Sequence, residues 1–232
     1  MQVQEAIILA GGLGTRLREA VPDLPKCMAP VNGKPFIYYV VSHLQKQGIQ
    51  RFIFSLGYRS EAFTNYITSL LPDGNYELVI EKEPLGTGGA IKFACSHVKH
   101  TNVVVVNGDS IFKTNIAEQD ELHTTKNAHC TLALKPMENF ERYGVVELNE
   151  DQSIASFKEK QYYSKGLING GVYLLNAELF LAEKLPEKFS FETDYLQVFY
   201  NQRRIFGLIQ DGYFIDIGIP EDYTRAQTEL TD

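Results

Sequence analysis

The residues best suited to chemistry in this chain are a glycine-rich loop and the basic side chains that follow it. The loop Gly11-Gly12-Leu13-Gly14-Thr15-Arg16 comes directly after the apolar run Ala6–Ala10. Glycines at the carboxyl end of a buried strand let backbone N–H groups approach phosphate oxygens. Arg16 offers a fixed fork for phosphate, and Lys26 adds a mobile point charge. The pattern indicates a phosphate-binding loop, with a glycine turn beside a solvated arginine as the alternative.

Two standard phosphate-binding motifs do not match this loop. The pattern GxGxxG needs a glycine where Leu17 stands, and the second apolar run ends in Ser55-Leu56-Gly57 without the carboxylate that a nicotinamide ribose requires. The P-loop pattern GxxxxGK[ST] occurs nowhere in the chain. The spacing therefore excludes a nicotinamide-dependent dehydrogenase and a P-loop protein.

Two aspartates are candidate metal ligands. Asp109 follows the run Val103–Val106 and the pair Asn107-Gly108, so it lies at the carboxyl end of a predicted central strand. Magnesium usually takes one or two protein carboxylates together with phosphate oxygens and water. Asp216 is flanked by isoleucines, where burial is costly unless a cation or a hydrogen-bond network compensates. A strand-terminating turn is the alternative for Asp109, and the hydrogen-bond network is the alternative for Asp216.

The elements that must position these residues alternate between strand and helix in the first half. The predicted strands are Ala6–Ala10, Arg51–Leu56, Glu77–Ile80 and Val103–Val106. Helices are predicted over 35–47 and 87–97, and a further helix is predicted after the cap residue Ser60, with the apolar face Phe63, Tyr66, Ile67 and Leu70. This alternation is typical of a parallel sheet covered by helices on both faces. From about residue 128, strand-like runs follow one another at Cys130–Leu134, Val145–Leu148, Ile154–Phe157 and Val172–Leu175. They predict an antiparallel or mixed extension that covers the crevice. A helix over 191–201, a strand over 205–209 and a helix over 220–230 complete the prediction.

Composition and charge exclude several classes of protein. The chain has 232 residues, 44% of them hydrophobic, with 22 Lys+Arg against 29 Asp+Glu, a net charge of −7. Without a basic block, a nucleic-acid partner is not expected. No apolar run approaches the roughly 18 residues of a membrane span. The start of the chain lacks a basic signal-peptide region, and the three cysteines lack CxxC spacing, so we expect free thiols and a cytoplasmic protein.

The histidines offer no competing metal site. There are five, and none belongs to an HExxH motif. His97 and His100 fall near a predicted helix end, where no cysteine or carboxylate converges on them in the sequence. We therefore expect both to be surface residues.

Taken together, these segments resemble the signature of the sugar-phosphate nucleotidyltransferases. The segments are LAGGLGTRLR (9–18), PKCMAP (25–30) and GKP (33–35), and the resemblance extends over essentially the whole chain. Within that family, EPLGTGGAI, NGD, FKEK, INGG and FIDIGIPEDY look most like the D-glycero-α-D-manno-heptose 1-phosphate guanylyltransferases. Cys27 stands where the family usually has proline, a departure that removes no ligand group.

The resemblance implies a fold and a separate binding role for each half of the chain. The fold is an α/β, Rossmann-like three-layer sandwich with a mostly parallel mixed sheet, the glycosyltransferase-A-like nucleotidyltransferase fold, and a sugar-binding extension. It implies a single catalytic domain over 1–232. Residues 1–127 are expected to form mainly the nucleotide-binding lobe, and residues 128–232 mainly the sugar-binding lobe and the elements that close the domain.

The implied reaction transfers a nucleoside monophosphate from a triphosphate to a sugar 1-phosphate, releasing pyrophosphate, for bacterial surface polysaccharide synthesis. The expected partners are GTP and a sugar 1-phosphate, and the expected cofactor is Mg²⁺, with Mn²⁺ as an alternative. Arg16, Lys26 and Asp109 are the implied catalytic residues, and Asp109 and Asp216 the implied metal ligands. The implied nucleotide-binding residues are Leu9, Ala10, Gly11, Gly12, Gly14, Thr15, Arg16, Lys26, Glu81, Pro84, Gly86, Thr87, Gly88 and Gly108. The implied sugar-phosphate-binding residues are Tyr143, Gly144, Glu159, Lys160, Asn169, Gly170 and Gly171.

Glu81 is the candidate reader of the base. It stands five residues before Gly86, where uridine- and thymidine-using relatives commonly have glutamine. A carboxylate offers only acceptors, which match the adjacent N1–H and N2–H donors of guanine, whereas uracil presents one N–H between two carbonyls. This favours GTP, with a solvated strand-end residue as the alternative for Glu81.

Several alternatives stay open at this point. The sugar could be mannose 1-phosphate or another sugar phosphate, because the sequence does not show the depth of the pocket. Taken without the family, Glu159 and Lys160 are typical of a solvated charge run. A catalytically silent regulatory or binding subunit would be expected to lose Arg16, Lys26, Asp109 or Asp216, and all four are present. A monomer and a homodimer are both compatible with the sequence.

Overall fold

The computed structural model describes residues 3–11, 24–57 and 61–231, without the side chains of residues 61 and 62. Within these residues the strands are β1 (Glu5–Leu9), β2 (Pro30–Val31), β3 (Lys34–Pro35), β4 (Arg51–Leu56), β5 (Tyr76–Ile80), β6 (Asn102–Asn107), β7 (Ser110–Phe112), β8 (Cys130–Phe140), β9 (Val146–Leu148), β10 (Ile154–Phe157), β11 (Tyr163–Asn176), β12 (Ile205–Ile209) and β13 (Phe214–Asp216). The α-helices are α1 (Phe36–Lys46), α2 (Glu61–Leu70), α3 (Gly86–Cys95), α4 (Ile116–Thr125), α5 (Ala177–Ala182), α6 (Gln197–Phe199) and α7 (Pro220–Glu229). A 3₁₀ turn spans Lys26–Met28, and a π-helix spans Phe191–Leu196.

A seven-stranded mixed sheet with the order β12-β8-β11-β6-β1-β4-β5 forms the centre of the described structure. The strand β1 runs parallel to β4 and β6, and β4 runs parallel to β5. The strand β11 runs antiparallel to both of its neighbours, β6 and β8. The predicted α/β class with a mostly parallel mixed sheet is confirmed.

Two apolar clusters cover the two faces of this sheet, which gives three layers. Because side chains alternate along a strand, Ile8 packs with α1 and α2 on one face. Ile7 packs on the other face with Ile91 of α3 and Phe180 of α5. Strands buried on both faces are continuous apolar runs, and that is how β1, β4 and β6 could be found in the sequence.

The second half of the chain forms the predicted antiparallel or mixed extension, but as part of the main sheet and not as a separate cover. The runs at 130–134 and 172–175 belong to β8 and β11, which extend the main sheet itself. The hairpin β9–β10 and the ribbon β7–β13 are separate two-stranded sheets. The helices α4 and α5 were not predicted, and the predicted helix over 191–201 begins as a π-helix.

The two histidines predicted to lack carboxylate neighbours both have one, so that prediction is wrong. His97 Nδ1 lies 2.5 Å from Glu77 Oε1, and His100 Nδ1 lies 2.8 Å from Glu5 Oε2. Glu5 is fully buried at the start of β1 and also accepts a hydrogen bond from Arg51. Burial alone would raise the pKa of Glu5, but the hydrogen bonds from its neighbours outweigh it and lower that pKa. The network joins the amino ends of the strands, away from their carboxyl ends.

The three cysteines are free, as predicted, and the structure shows that all three are buried. Among the described helices, none has both the length and the apolar character needed to span a membrane.

Candidate active site

A pocket of about 540 Å³ opens at the carboxyl ends of β1, β4 and β6. Loops that leave this edge of an open α/β sheet commonly form the ligand site. Its lining residues are Leu9, Ala10, Gly11, Lys26, Cys27, Ser55, Glu81, Pro84, Gly86, Thr87, Ala90, Ile91, Asn107, Gly108, Asp109, Tyr173, Ser190, Phe191 and Glu192. Ten of these are predicted site residues, and they come from the two glycine-rich segments, the Lys26 turn and the end of β6.

The floor of the pocket is formed where three chain segments approach each other closely. Gly108 N donates to Leu9 O at 2.9 Å, and Ala10 N donates to Ser55 O at 2.8 Å. A Cβ on Gly11 would lie 2.9 Å from the backbone nitrogen of Gly57, so this approach requires glycine. The rest of the predicted phosphate loop, including Gly12, Gly14, Thr15 and Arg16, lies outside the described residues.

Lys26 and Asp109 are paired across the pocket, although they are 83 residues apart in the chain. Lys26 begins the 3₁₀ turn, which Met28 N closes by donating to Pro25 O at 2.8 Å. The Lys26 Nζ atom lies 3.2 Å from Asp109 Oδ2, and the two side chains are 20% and 36% exposed. Both charges therefore face the space where a ligand would bind.

Asp216 lies beside Asp109 because of the ribbon β7–β13. In its register Asp216 is opposite Ser110, and Ile217 N donates to Asp109 O at 3.1 Å. Burial and then the negative charge of Asp109 raise the pKa of Asp216. Gly218 N donates to Asp216 Oδ1 at 2.8 Å, which anchors one carboxylate oxygen.

Two further side chains surround the Asp216 carboxylate. Arg142 Nη2 lies 3.8 Å from Asp216 Oδ2, while its Nη1 donates to Asp222 Oδ2 at 2.5 Å. Burial, followed by the charge of Asp216, raises the pKa of Tyr143 to about 12. Asp216 is thus held beside Asp109 by a network that includes Gly218 N and Arg142.

This pair of carboxylates fits magnesium chemistry. Among the described residues, no group of three or more His, Cys, Asp or Glu side chains is arranged to hold a metal ion. An ion bound by Asp109 and Asp216 would therefore complete its coordination with ligand oxygens and water. Magnesium is commonly bound in that manner, through one or two carboxylates and substrate phosphates.

Another part of the pocket wall comes from the segment Glu81 to Thr87, which Gly88 follows. Glu81 N donates to Leu56 O at 2.9 Å, so the segment leaves β5 next to β4. Gly86 has φ +72°, and a Cβ there would lie 2.5 Å from Phe189 O. Gly88 N donates to that same carbonyl oxygen at 2.9 Å, and Thr87 Oγ1 accepts from Phe191 N at 2.9 Å. Gly88 therefore does not line the pocket but anchors the segment to Phe189.

The predicted sugar-phosphate residues lie outside the lining of this pocket. Gly171 lies against Asn107, and Asn169 Nδ2 donates to Glu192 Oε1 at 3.1 Å, which connects INGG to the pocket rim. Gly170 lies against the ring of Phe112, and Tyr143 adjoins Asp216. A Cβ on Gly144 would lie 2.4 Å from Lys158 O, which places Gly144 beside the FKEK segment. In that segment, Glu159 and Lys160 are exposed.

Several lining residues were missed in the sequence. Ser55 and Asn107 are polar residues at the ends of apolar strands, the same signal that identified Asp109. Ser190, Phe191 and Glu192 reach the pocket because the π-helix packs against α3, and no local pattern predicts that contact. A π-helical turn often occurs at functional sites.

Comparisons with known proteins show which proteins the chain resembles. The family model described as Nucleotidyl transferase matches residues 5–232. The D-glycero-α-D-manno-heptose 1-phosphate guanylyltransferase of Aneurinibacillus thermoaerophilus is 50% identical over 226 residues, covering 97% of this chain and 98% of the relative. The protein of the same name from Campylobacter jejuni is 45% identical, covering 94% and 96%. The crystal structure of HddC from Yersinia pseudotuberculosis complexed with GMP-PN has a TM-score of 0.84 and 35% identity, covering 99% of this chain and 100% of that chain.

Proposed function

This chain belongs to the nucleotidyl transferase family, and on that premise we propose that it transfers GMP from GTP to D-glycero-α-D-manno-heptose 1-phosphate. The products are pyrophosphate and the GDP-linked heptose. Two relatives named for this activity match nearly the full length at 50% and 45% identity. The structural observation that carries the proposal is the Lys26–Asp109 pair beside Asp216, inside a pocket of about 540 Å³.

The chemistry requires positioning and charge neutralisation. An oxygen of the sugar phosphate forms a bond to the α-phosphorus of GTP, and the bond from that phosphorus to the oxygen bridging to the β-phosphate breaks. The nucleophile is already an anion, so no side chain has to remove a proton from it. Holding two polyanions in line lowers the barrier by proximity, and fixed positive charges stabilise the transition state.

Lys26 and Arg16 supply the fixed positive charges in this proposal. Lys26 lies in the 3₁₀ turn and is paired with Asp109. When substrates bind, its ammonium group turns partly away from Asp109 and contacts the reacting phosphates. Arg16, which lies outside the described residues, holds the leaving pyrophosphate as a fork-shaped donor.

Asp109 and Asp216 hold a divalent ion, which we propose to be Mg²⁺. Family chemistry uses a divalent metal, and two carboxylates completed by phosphate oxygens and water suit magnesium. When bound, such an ion supplies positive charge to the phosphate oxygens. Asp216 is preformed for this role because Gly218 N and Arg142 orient its carboxylate.

Glu81 reads the guanine base in this proposal. Glu81 lines the pocket together with Pro84, Gly86 and Lys26. Carboxylate oxygens accept the N1–H and N2–H donors of guanine and repel the carbonyls of uracil. Glu81→Gln is therefore expected to reduce the preference for GTP over UTP.

The sugar phosphate binds on the β11 side, where Tyr143 lies next to Asp216 and Gly171 lies next to Asn107. Asn169 belongs to the same segment, and its Oδ1 accepts a hydrogen bond from Gly171 N at 3.1 Å. Glu159 and Lys160 reach this side from the adjacent loop, with Glu159 accepting from sugar hydroxyls and Lys160 meeting the phosphate. Gly144 and Gly170 allow the backbone to pack closely against Lys158 and Phe112, which positions the neighbouring residues Tyr143 and Asn169.

The test is pyrophosphate release from each of four nucleoside triphosphates with Mg²⁺ and a panel of sugar 1-phosphates. We expect the highest kcat/KM for GTP with the manno-heptose 1-phosphate. Preference for mannose 1-phosphate would correct the sugar, and preference for UTP would contradict the base. No release with any pair, under conditions where a known guanylyltransferase is active, would instead support the silent binding subunit.

A further inference from the structure

Ser55 is a polar residue in a strand that is otherwise apolar after its first residue. The strand β4 reads RFIFSL, and every residue after Arg51 is buried, with Ser55 only 1% exposed. A hydroxyl in such a place costs free energy unless it is hydrogen-bonded. We therefore expect a group that accepts a hydrogen bond from the Ser55 hydroxyl.

The partner is the carboxylate of Glu81. Ser55 Oγ donates to Glu81 Oε1 at 3.3 Å. The sheet fixes this proximity, because Ser55 is opposite Val79 on β5 and Glu81 N continues the pairing by donating to Leu56 O at 2.9 Å. Hydrogen bonds to a charged acceptor are stronger than those between neutral groups.

The second oxygen of the same carboxylate is also held. Leu85 N donates to Glu81 Oε2 at 3.0 Å from the loop that precedes α3. Each oxygen therefore accepts one hydrogen bond from the protein and keeps further acceptor capacity. A carboxylate fixed at both oxygens loses less conformational freedom when it meets a pair of donors on a ligand.

We infer that Ser55 is a positioning residue for base recognition: it fixes the Glu81 carboxylate in the orientation that accepts N1–H and N2–H of guanine. The inference rests on the proposed function, in which Glu81 reads the base. Ser55 acts through Glu81, so its effect should appear only with a nucleotide whose recognition uses that carboxylate.

The experiment is a double-mutant cycle of Ser55→Ala with Glu81→Gln, measured as kcat/KM for GTP and for UTP. Ser55→Ala should lower kcat/KM for GTP about 10-fold, mainly by raising KM, as expected when a charged group loses a hydrogen bond. The UTP value should change less than about 2-fold. In the Glu81→Gln background, Ser55→Ala should cause almost no further loss with GTP.

A matched control removes a buried hydroxyl elsewhere in the sheet. Thr131 on β8 is fully buried, and its Oγ1 lies 2.9 Å from His123 Nδ1, outside the pocket lining. Thr131→Val should reduce thermal stability without changing the ratio of the GTP and UTP values. A second variant, Ser55→Cys, keeps a small side chain with a weaker donor and should give an intermediate loss.

The possible outcomes separate this inference from the function on which it rests. If Glu81→Gln leaves the preference for GTP unchanged, Glu81 is not the base reader and the proposed recognition fails. If Glu81→Gln reduces that preference but the Ser55→Ala loss is additive with it, or equal for GTP and UTP, the positioning role is overturned. Wild-type preference in both Ser55 variants overturns it as well.

Discussion

Replacing Lys26 by methionine tests the charge at the centre of the proposed chemistry. Methionine keeps much of the apolar stem but removes the ammonium group, whose Nζ lies 3.2 Å from Asp109 Oδ2. A unit charge about 4 Å from a phosphate oxygen contributes about 4 kcal/mol at an effective dielectric constant of 20. Loss of one preorganised contact to developing charge typically costs about 2.7 to 4 kcal/mol. We therefore expect kcat/KM to fall about 10²- to 10³-fold.

The assay is pyrophosphate release under subsaturating GTP with the sugar phosphate held constant. Lys165→Met is the matched control, because Lys165 forms an exposed ion pair with Glu138 at 2.9 Å, with the side chains 78% and 65% exposed. That control should keep wild-type kcat/KM. Thermal unfolding should show that Lys26→Met changes stability by no more than about 1 kcal/mol, since the pair that it removes is partly solvated. A Lys26→Met enzyme within about threefold of wild type would refute the proposed role.

Substitutions at three other positions test the pocket wall, the metal ligand and a buried histidine. Gly86→Ala should lower the melting temperature by several degrees, because the new Cβ would lie 2.5 Å from Phe189 O at a φ of +72°. An unchanged melting temperature would contradict this prediction. Asp216→Asn should raise the Mg²⁺ concentration needed for half-maximal activity about 10-fold or more, whereas Asp211→Asn, at a side chain 79% exposed, should not. Burial lowers the pKa of His123 from 6.5 to about 4, so its contribution to stability is present above pH 6.5 and lost as the pH falls towards 4, by up to about 3 kcal/mol. Urea unfolding at pH 7 and pH 5 should show a smaller loss in His123→Asn, and an equal loss would argue against the buried neutral form.

The sequence was informative wherever burial produced a local pattern. The strands β1 and β6 are runs of apolar residues because both of their faces are covered, and that signal depends only on neighbours in the chain. The same reasoning led to Asp109, since a polar residue that ends such a strand lies at the carboxyl edge of the sheet.

The helix α4 shows why other elements were missed. Its buried residues include Gln119, Asp120 and His123, so no apolar period marks the buried face. Tertiary hydrogen bonds compensate for these polar groups: Gln119 Nε2 donates to Thr131 O at 2.7 Å, and His123 contacts the Thr131 hydroxyl. Such partners are close only after folding.

The candidate site, like the fold, could be predicted from the sequence only where a local pattern marked its residues. Gly11, which lies just beyond β1, and Lys26, which begins the 3₁₀ turn, were predicted from the sequence and line the pocket. The contribution of Phe191 and Glu192 depends on a π-helix that packs against α3. The register shift between Asn169 and Tyr173 on β11 likewise depends on pairing with β8.

The place of β11 in the sheet also determines how long one edge of β6 stays unpaired while the protein is being synthesised. The strand β6 pairs with β1 on one side and with Val172–Asn176 of β11 on the other. The ribosome makes about 5 to 20 residues per second, so β6 leaves it several seconds before its second neighbour. During that interval one edge of a strand with four consecutive valines is unpaired, which is the type of edge that associates with other chains. We therefore expect the nascent chain to be prone to association through this edge from the time that residue 107 leaves the ribosome until residue 176 does.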